Sequence, residues 1–513
     1  MILEKFFTHK NDKNLLFVNP NLTFGEFKRL VFGQKLEFEK SDIQNVVLFC
    51  DDYLDFSVNF FASVFAHKNM FFLTDKNRLK QLDFDYILPS DYSPCEGEFE
   101  GEFDARNINI NLFTSGSTGV PKNIVKTLYN METEALFTIK DFNLEPDMTI
   151  VSTTSSAHSF GMTFNFMLPF AGDYKINRKK IEYPEQLDVE GKYIFISTPS
   201  FMEKLAKYDF TFENSPQIIF LAGAKLKEEI YSYFAKFAKV VDIYGSTETG
   251  NIAYKCGGDV FTVMGGVEVY PDEDGRITVK SEFFPADKMV LNDVIEKKSE
   301  SKFVLKKRVD RIVKILEKRI SLDELENNLS KHKDVQECYC FSYADKLCCA
   351  VATHNPEVKP SELKKYLSNF SEILPKKWRI LDEIPRTVSG KIDKVKLNKI
   401  FGSNLSYPSV YSRHISESQA EVEILFRNNS NFLKGHFDIT PIIPGVIQLY
   451  YARFFAEDVF GIELSYEEVK KVKFSNIIRP DNRVTLKLIN KEKSVEFTYV
   501  ADDKIFSSGI FVK

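Results

Sequence analysis

The sequence predicts an α/β domain, then a small α+β unit, then a second α+β unit in which a sheet wraps one helix. Three observations carry this. Through the first half of the 513 residues, short apolar runs alternate with longer mixed segments, the pattern of buried strands joined by helices. From about residue 311 the alternation gives way to a compact mix of a helix start, Glu324-Leu325-Glu326-Asn327-Asn328-Leu329, and a strand, Cys348-Cys349-Ala350-Val351-Ala352. Past a polar stretch at 402–416, the period-two runs Val484-Thr485-Leu486-Lys487-Leu488 and Val495-Glu496-Phe497-Thr498-Tyr499 follow a segment, 446–460, that is apolar on nearly every side. Half-buried antiparallel strands around an enclosed helix have that pattern. The length fits about three or four domains.

Taken in order, Val46-Val47-Leu48-Phe49, Met70-Phe71-Phe72-Leu73, Thr149-Ile150-Val151, Tyr193-Ile194-Phe195-Ile196, Ile218-Ile219-Phe220-Leu221 and Val240-Val241-Asp242-Ile243-Tyr244 read as buried strands, with helices at 54–67 and 225–239. Open α/β sheets bind ligands beyond the carboxyl ends of their strands, where Ser197-Thr198-Pro199, Gly223-Ala224 and Gly245-Ser246-Thr247-Glu248 fall. A formal charge of −5 leaves no basic excess to track nucleic-acid phosphates, so a small ligand is expected. The seven cysteines have no C-x-x-C pair and no metal-ligand spacing, which fits reduced thiols in the cytoplasm. Residues 1–19 scatter charges among apolar residues, and no run is long and apolar enough to span a bilayer, so the chain is expected to be soluble and unexported.

Thr114-Ser115-Gly116-Ser117-Thr118-Gly119-Val120-Pro121-Lys122 follows the strand-like Ile108-Asn109-Ile110-Asn111-Leu112-Phe113. Small hydroxyl residues interleaved with glycines let backbone N–H and side-chain O–H groups point into one concavity, an arrangement that holds a polyphosphate. An ordinary P-loop has four residues between its glycines and then Gly-Lys-[Ser/Thr]. Here two residues separate Gly116 from Gly119, and Pro121 precedes Lys122. Taken alone, the stretch reads equally as a surface turn.

The order of motifs resembles the adenylate-forming superfamily of acyl- and aryl-CoA synthetases, luciferases and peptide-synthetase adenylation domains, over roughly residues 15–400. Leu22-Thr23-Phe24-Gly25-Glu26-Phe27 resembles the early Thr-Tyr-x-Glu-Leu element, and 114–122 matches the phosphate loop. His158-Ser159-Phe160-Gly161 resembles the segment lining the acyl pocket, Ala222-Gly223-Ala224 the adenine-side loop, and Tyr244-Gly245-Ser246-Thr247-Glu248 the Tyr-Gly-x-Thr-Glu motif. Leu291-Asn292-Asp293 stands where Thr-Gly-Asp is usual, Arg308-Val309-Asp310 resembles the hinge, and Pro385-Arg386-Thr387-Val388-Ser389-Gly390-Lys391 the C-terminal lysine loop.

The resemblance implies ATP, Mg2+ and a thiol acceptor, either CoA or the phosphopantetheine of an acyl carrier protein. The nucleotide would be held by Thr114, Ser115, Gly116, Ser117, Thr118, Gly119, Lys122, Gly223, Ala224, Tyr244, Gly245, Thr247, Asp293 and Arg308. In that set Tyr244 stacks on adenine, Asp293 accepts from ribose hydroxyls, and Glu248 and Thr118 are the Mg2+ ligands. His158 and Gly161 would line the pocket of the acid. Lys391 would meet the charge that develops as a carboxylate attacks the α-phosphorus, and Asp310 would be the hinge on which the small subdomain swings. Each residue has a plainer counterpart reading: Glu248 as a solvated acid, Lys391 as an exposed turn, His158 as a packed histidine.

Two departures stand out. Glu317 replaces the glycine of the Gly-x-Arg-Ile turn that approaches the thiol in relatives, which weighs against CoA as acceptor, and the phosphate loop begins early, abbreviating the N-terminal region. A sheet around one helix is the hotdog fold. Leu433-Lys434-Gly435-His436-Phe437-Asp438 and Pro441-Ile442-Ile443-Pro444-Gly445-Val446 resemble the signatures of 3-hydroxyacyl-carrier-protein dehydratases, and Val472-Lys473-Phe474 and Arg479-Pro480-Asp481 continue the match. That resemblance implies His436 as base, while Tyr450 stands where those enzymes carry the acidic carboxylate. The expected organisation is a large adenylation subdomain at 1–309, a small one at 310–401, a linker at 402–413 and a hotdog at 414–513 that pairs into a homodimer. The expected activity is an ATP-dependent acid ligase fused to a dehydratase-like domain. A plain acyl-CoA synthetase with a dimerising hotdog and an adenylate-binding regulator without turnover are the alternatives.

Overall fold

The computed structural model describes every residue except 1, 50–51, 74–84, 89–92, 98–102, 115–121, 188, 316–317, 345, 354, 356–357, 388–389, 404, 429, 434–439, 465–467 and 502–503. The chain folds as two units, residues 1–309 with 386–391, and residues 310–385 with 392–513.

In the first unit, all six runs expected to be strands are strands. Leu15–Val18, Lys175–Asn177, Thr149–Ser152, Tyr193–Ser197, Ile218–Leu221 and Lys239–Ser246 lie side by side and parallel. Tyr193–Ser197 and Ile218–Leu221 are buried at every residue, as a strand covered on both faces must be. At Gly250–Lys255 the chain turns back antiparallel, and Val260–Val263, Lys302–Arg308, Met289–Ser299, Arg276–Ser281 and Val267–Pro271 extend the same sheet to its edge. A second sheet sets Asn45–Leu48, Asn69–Phe72 and Asn109–Thr114 parallel, with Lys122–Thr127 antiparallel to the last.

Phenylalanine dominates the core. Phe6–Phe24 and Phe61–Phe170 meet edge-to-face with centroids 5.0 Å apart, pairs worth ~0.5–1.5 kcal/mol beyond their burial. The early motif also has a local reason. Thr23 Oγ1 accepts the Glu26 N–H at 3.3 Å while Glu26 accepts the Thr23 N–H at 2.7 Å, a capping box that starts the helix Phe24–Glu39. The helix expected over 225–239 is shorter, Glu228–Phe234. Phe234 and Phe237 pack into the core beneath it, so the chain is committed to the sheet before its strand opens at Lys239.

The second unit begins with the hairpin Ile312–Ile315 and Lys318–Ser321, then a three-stranded sheet of Glu337–Tyr343, Lys346–Ala352 and Lys377–Leu381 backed by the helices Leu322–Leu329 and Pro360–Leu367. The helix Lys394–Gly402 leads to an antiparallel six-stranded sheet, ordered Ser409–Ile415, Gln419–Leu425, Arg483–Lys491, Ser494–Ala501, Lys504–Val512 and Val469–Phe474, around the helix Gly445–Phe460. This is the hotdog expected from the period-two runs. One apolar core joins both parts: Leu381, Leu397 and Phe401 cluster with Val422, Phe455 and Leu486. The first strand of the hotdog sheet begins at Ser409, inside the segment expected to be a linker. Arg413 reaches across to Asp382 at 2.9 Å and Asp458 at 2.8 Å.

Candidate active site

The Tyr-Gly-x-Thr-Glu segment forms the end of Lys239–Ser246 and the turn into Gly250–Lys255. Gly245 pairs with Asn251 and Ser246 with Gly250. A Cβ on Gly245 would stand 2.0 Å from the Gly250 carbonyl oxygen, so only glycine fits. Inside the turn, Ser246 N donates to Thr249 Oγ1 and Thr249 N to Ser246 Oγ, both at 3.2 Å. Thr247 is buried, and Glu248 is left facing out with a loose 3.8 Å contact to Lys122, the last residue of the phosphate stretch. An ion pair this long and this exposed contributes little, so the carboxylate can be given up to a metal.

Beside this turn, Tyr244 packs against Phe261 and Phe303, with centroids 5.6 and 6.1 Å away. Burial raises the pKa of its hydroxyl, and the Asp293 carboxylate next to it adds to the effect. Asp293 and Arg308 lie opposite each other on adjacent strands, with Nη1–Oδ2 at 3.2 Å. Gly223 follows the strand Ile218–Leu221 with φ +100°, a conformation that lets backbone approach a ligand at no steric cost.

Lys391 comes into this group. Its side chain stays open to water, yet the protein massed around it lowers its pKa from the ordinary lysine value. Glu248 opposes that shift and Arg308 adds to it. Burial pushes the His158 imidazole down to about 4, and the Lys391 charge contributes, so His158 is neutral near pH 7. His158 heads the short helix Ser159–Gly161, which runs into a π-helical stretch, Met162–Met167, a distortion frequent at functional sites. Gly161 has a packing reason of its own, since a Cβ there would lie 2.0 Å from the Ser155 carbonyl oxygen.

The structure therefore brings Tyr244, Glu248, Asp293, Arg308, His158, Lys122 and Lys391 to one locality, and the division between units falls between Val309 and Asp310. Ser115, Gly116, Ser117, Thr118 and Gly119 lie outside the described residues, as do Glu317 and His436; Thr114 ends the strand Asn109–Thr114. The residues present fit a nucleotide and a hard cation: an aromatic ring, an acid fixed by an arginine, and a carboxylate with a weak partner. Residue-type reasoning missed Lys126 and Glu134, which sit buried directly behind the turn. On the hotdog helix, Tyr450 is half-buried and meets Tyr451 edge-on at 5.0 Å. The buried polar group there is Gln448, whose Oε1 accepts from Ser507 Oγ at 2.6 Å.

Comparison with known proteins agrees with this fold. Residues 61–277 match the AMP-binding enzyme family, residues 324–391 the AMP-binding enzyme C-terminal domain, and residues 412–510 the ApeI dehydratase family. The chain is similar to gramicidin S synthase 2 of Aneurinibacillus migulanus, at 29% identity over 164 residues that make up 31% of this chain and 4% of that protein. It is also similar to the D-alanine–D-alanyl carrier protein ligase of Listeria monocytogenes, at 23% identity over 360 residues, 56% of this chain and 69% of that one. Against the large synthases, then, the chain spans only a few per cent of their length. Its fold resembles an ATP-bound RpMatB-BxBclM chimera, with TM-score 0.66 and 14% identity over 78% of this chain and 98% of that one. It also resembles the O-succinylbenzoate coenzyme A synthetase of Bacillus subtilis in complex with AMP, with TM-score 0.63 and 16% identity over 77% and 97%. The adenylate-forming fold with its C-terminal domain and the dehydratase-like hotdog read from the motifs are both present. Among the described residues, no helix is long and apolar enough to cross a membrane.

Proposed function

We propose that this chain activates a fatty or aromatic carboxylic acid as its adenylate, passes the acyl group to the phosphopantetheine thiol of a carrier protein, and holds the resulting thioester in its hotdog. The work would lie in fatty-acid or aryl-polyene-type lipid synthesis in the cytoplasm. The observation that carries the reading is the gathering of groups distant in sequence around Lys391, on whose charge Glu248 and Arg308 act and whose charge in turn acts on His158. A carrier-protein acceptor is favoured by the relatives whose names include one.

In the first half-reaction the acid's carboxylate oxygen attacks the α-phosphorus in line, and the bond to the bridging oxygen breaks to release pyrophosphate. Tyr244 and the Asp293–Arg308 pair hold the nucleoside, and Lys391 sets a fixed positive charge beside the attacking and bridging oxygens. Glu248 would hold magnesium, which would screen the phosphate charges. Neutral His158 walls the acid's pocket without adding a second positive charge. In the second half-reaction a thiolate attacks the acyl carbonyl and AMP leaves.

The test is pyrophosphate exchange with a panel of fatty and aromatic acids, followed by mass analysis of carrier protein and CoA. Exchange stimulated by a subset of acids, with the acyl mass appearing on the carrier, is expected. An absence of exchange with every acid would leave only adenylate binding, and mass on CoA alone would overturn the acceptor.

A further inference from the structure

The first unit buries an ion pair that the ligase steps above do not use. Lys126, on the strand that leaves the phosphate stretch, is 1% exposed, and Glu134, on the helix Leu128–Phe142, is 2% exposed. Their Nζ and Oε2 atoms stand 3.7 Å apart. Charges are rarely left this far from water unless they are paired and hydrogen-bonded.

The second carboxylate oxygen shows what the pair holds. Glu134 Oε1 accepts the Asn251 N–H at 3.0 Å and the Thr163 hydroxyl at 3.2 Å. Asn251 lies three residues past Glu248, in the arm of the turn that pairs with Gly245. Thr163 lies two residues past Gly161, in the π-helical stretch. The carboxylate also presses on the turn itself: a Cβ on Gly250, which has φ +72°, would stand 2.2 Å from Glu134 Oε2. One side chain therefore touches the turn that carries Glu248 and the segment that carries His158, and Lys126 joins both to the strand that follows the phosphate stretch.

We propose that Glu134 and Lys126 are positioning residues for adenylation, with Glu134 fixing the Glu248 turn and the His158 segment and Lys126 holding that carboxylate in place. The proposal rests on the ligase reading above. Burial pulls Lys126 toward the neutral amine and Glu134 toward the protonated acid, and each charge opposes the other's shift. The Glu248 charge also reaches Lys126, so the pair feels the site electrostatically as well as through the backbone.

Single truncations would strand one buried charge and unfold the core, so the test uses paired changes in the full chain. Lys126→Met with Glu134→Gln removes both charges but keeps an oxygen to accept from Asn251 and Thr163. Lys126→Met with Glu134→Leu removes the charges and the acceptor. Replacing a buried pair by apolar groups is often neutral for stability, so both variants should fold, as checked by thermal melting. The Met/Gln variant should retain pyrophosphate exchange within about threefold, and the Met/Leu variant should lose about 10- to 100-fold in kcat with little change in KM for ATP, because a displacement of about 1 Å can cost about that much. A folded Met/Leu variant with parental kcat would overturn the proposal, and so would equal losses in both variants.

A second readout is independent of the reaction. Hydrogen exchange at the Asn251 amide should stay slow in the parent and the Met/Gln variant and accelerate at least about tenfold in the Met/Leu variant. Unchanged protection across all three would sink the tie. Should the parent exchange no pyrophosphate with any acid while the protection pattern holds, the ligase reading fails and the tie to the turn stands.

Discussion

Replacing Lys391 by alanine removes a single positive charge from the site and leaves the Tyr244 and Asp293–Arg308 features untouched. At a separation of about 4 Å and an effective dielectric of about 20, a unit charge acting on developing negative charge is worth about 4 kcal/mol. Because Lys391 stays open to water, about half of that, about 2 kcal/mol, is the better expectation, or roughly 30-fold in adenylation rate. Pyrophosphate exchange reports that step, whereas thiol transfer from a supplied acyl-adenylate and ATP affinity should change little. The charge also sets a pH limit. Its surroundings lower the Lys391 pKa, so the ammonium is present below that lowered value and is lost as pH rises through it. The alkaline limb of exchange should therefore fall at a pH below the ordinary lysine value of about 10.4. Lys391→Arg, which keeps its proton throughout, should remove that limb even where its absolute rate is lower. If Lys391→Ala lowered both half-reactions together, or if the alkaline limb survived unchanged in the arginine variant, the role given to Lys391 would be wrong.

Three further outcomes are expected. Removing residues 405–513 should unfold the rest of the second unit, because Leu381, Ile384, Leu397, Ile400 and Phe401 share its core and each buried side chain is worth about 1.5–3 kcal/mol; a shortened chain that resists proteolysis across 310–401 as the parent does would contradict this. The chain should be a dimer through the edge strand Val469–Phe474, whose Phe474 is 52% exposed near Ile477 and Val446 at 56% and 70%, and Phe474→Glu should make it monomeric by light scattering; a parent already monomeric at micromolar concentration rules the interface out. Dehydration of a 3-hydroxyacyl thioester should be slow or absent in the parent, since a phenol is a poorer acid than a carboxyl group, and should rise in Tyr450→Glu and vanish on adding His436→Ala. Parental turnover unchanged by His436→Ala would remove the histidine from the chemistry.

The large-domain strands were legible because parallel strands buried on both faces must be continuous apolar runs, as Ile218–Leu221 and Tyr193–Ser197 are. Tyr244, Glu248, Asp293 and Lys391 could be singled out as candidates because each lies in a short motif whose residue types suit a nucleotide. What stayed hidden is non-local. Lys126 reads in isolation as a solvated cation, yet period two puts it on the same face of Lys122–Thr127 as buried Ile124, where it is paired with Glu134. The polar stretch 402–413 reads as a linker for the same reason. Arg413 at its end is paired with Asp382 and Asp458, 31 and 45 residues away in sequence, and Arg379 Nη2 donates to the Ser403 and Leu405 carbonyls at 3.1 Å. Polarity therefore marked a seam here, not a tether. The small subdomain and the hotdog share one core, and a hinge at Asp310 that moved the first would carry the second with it.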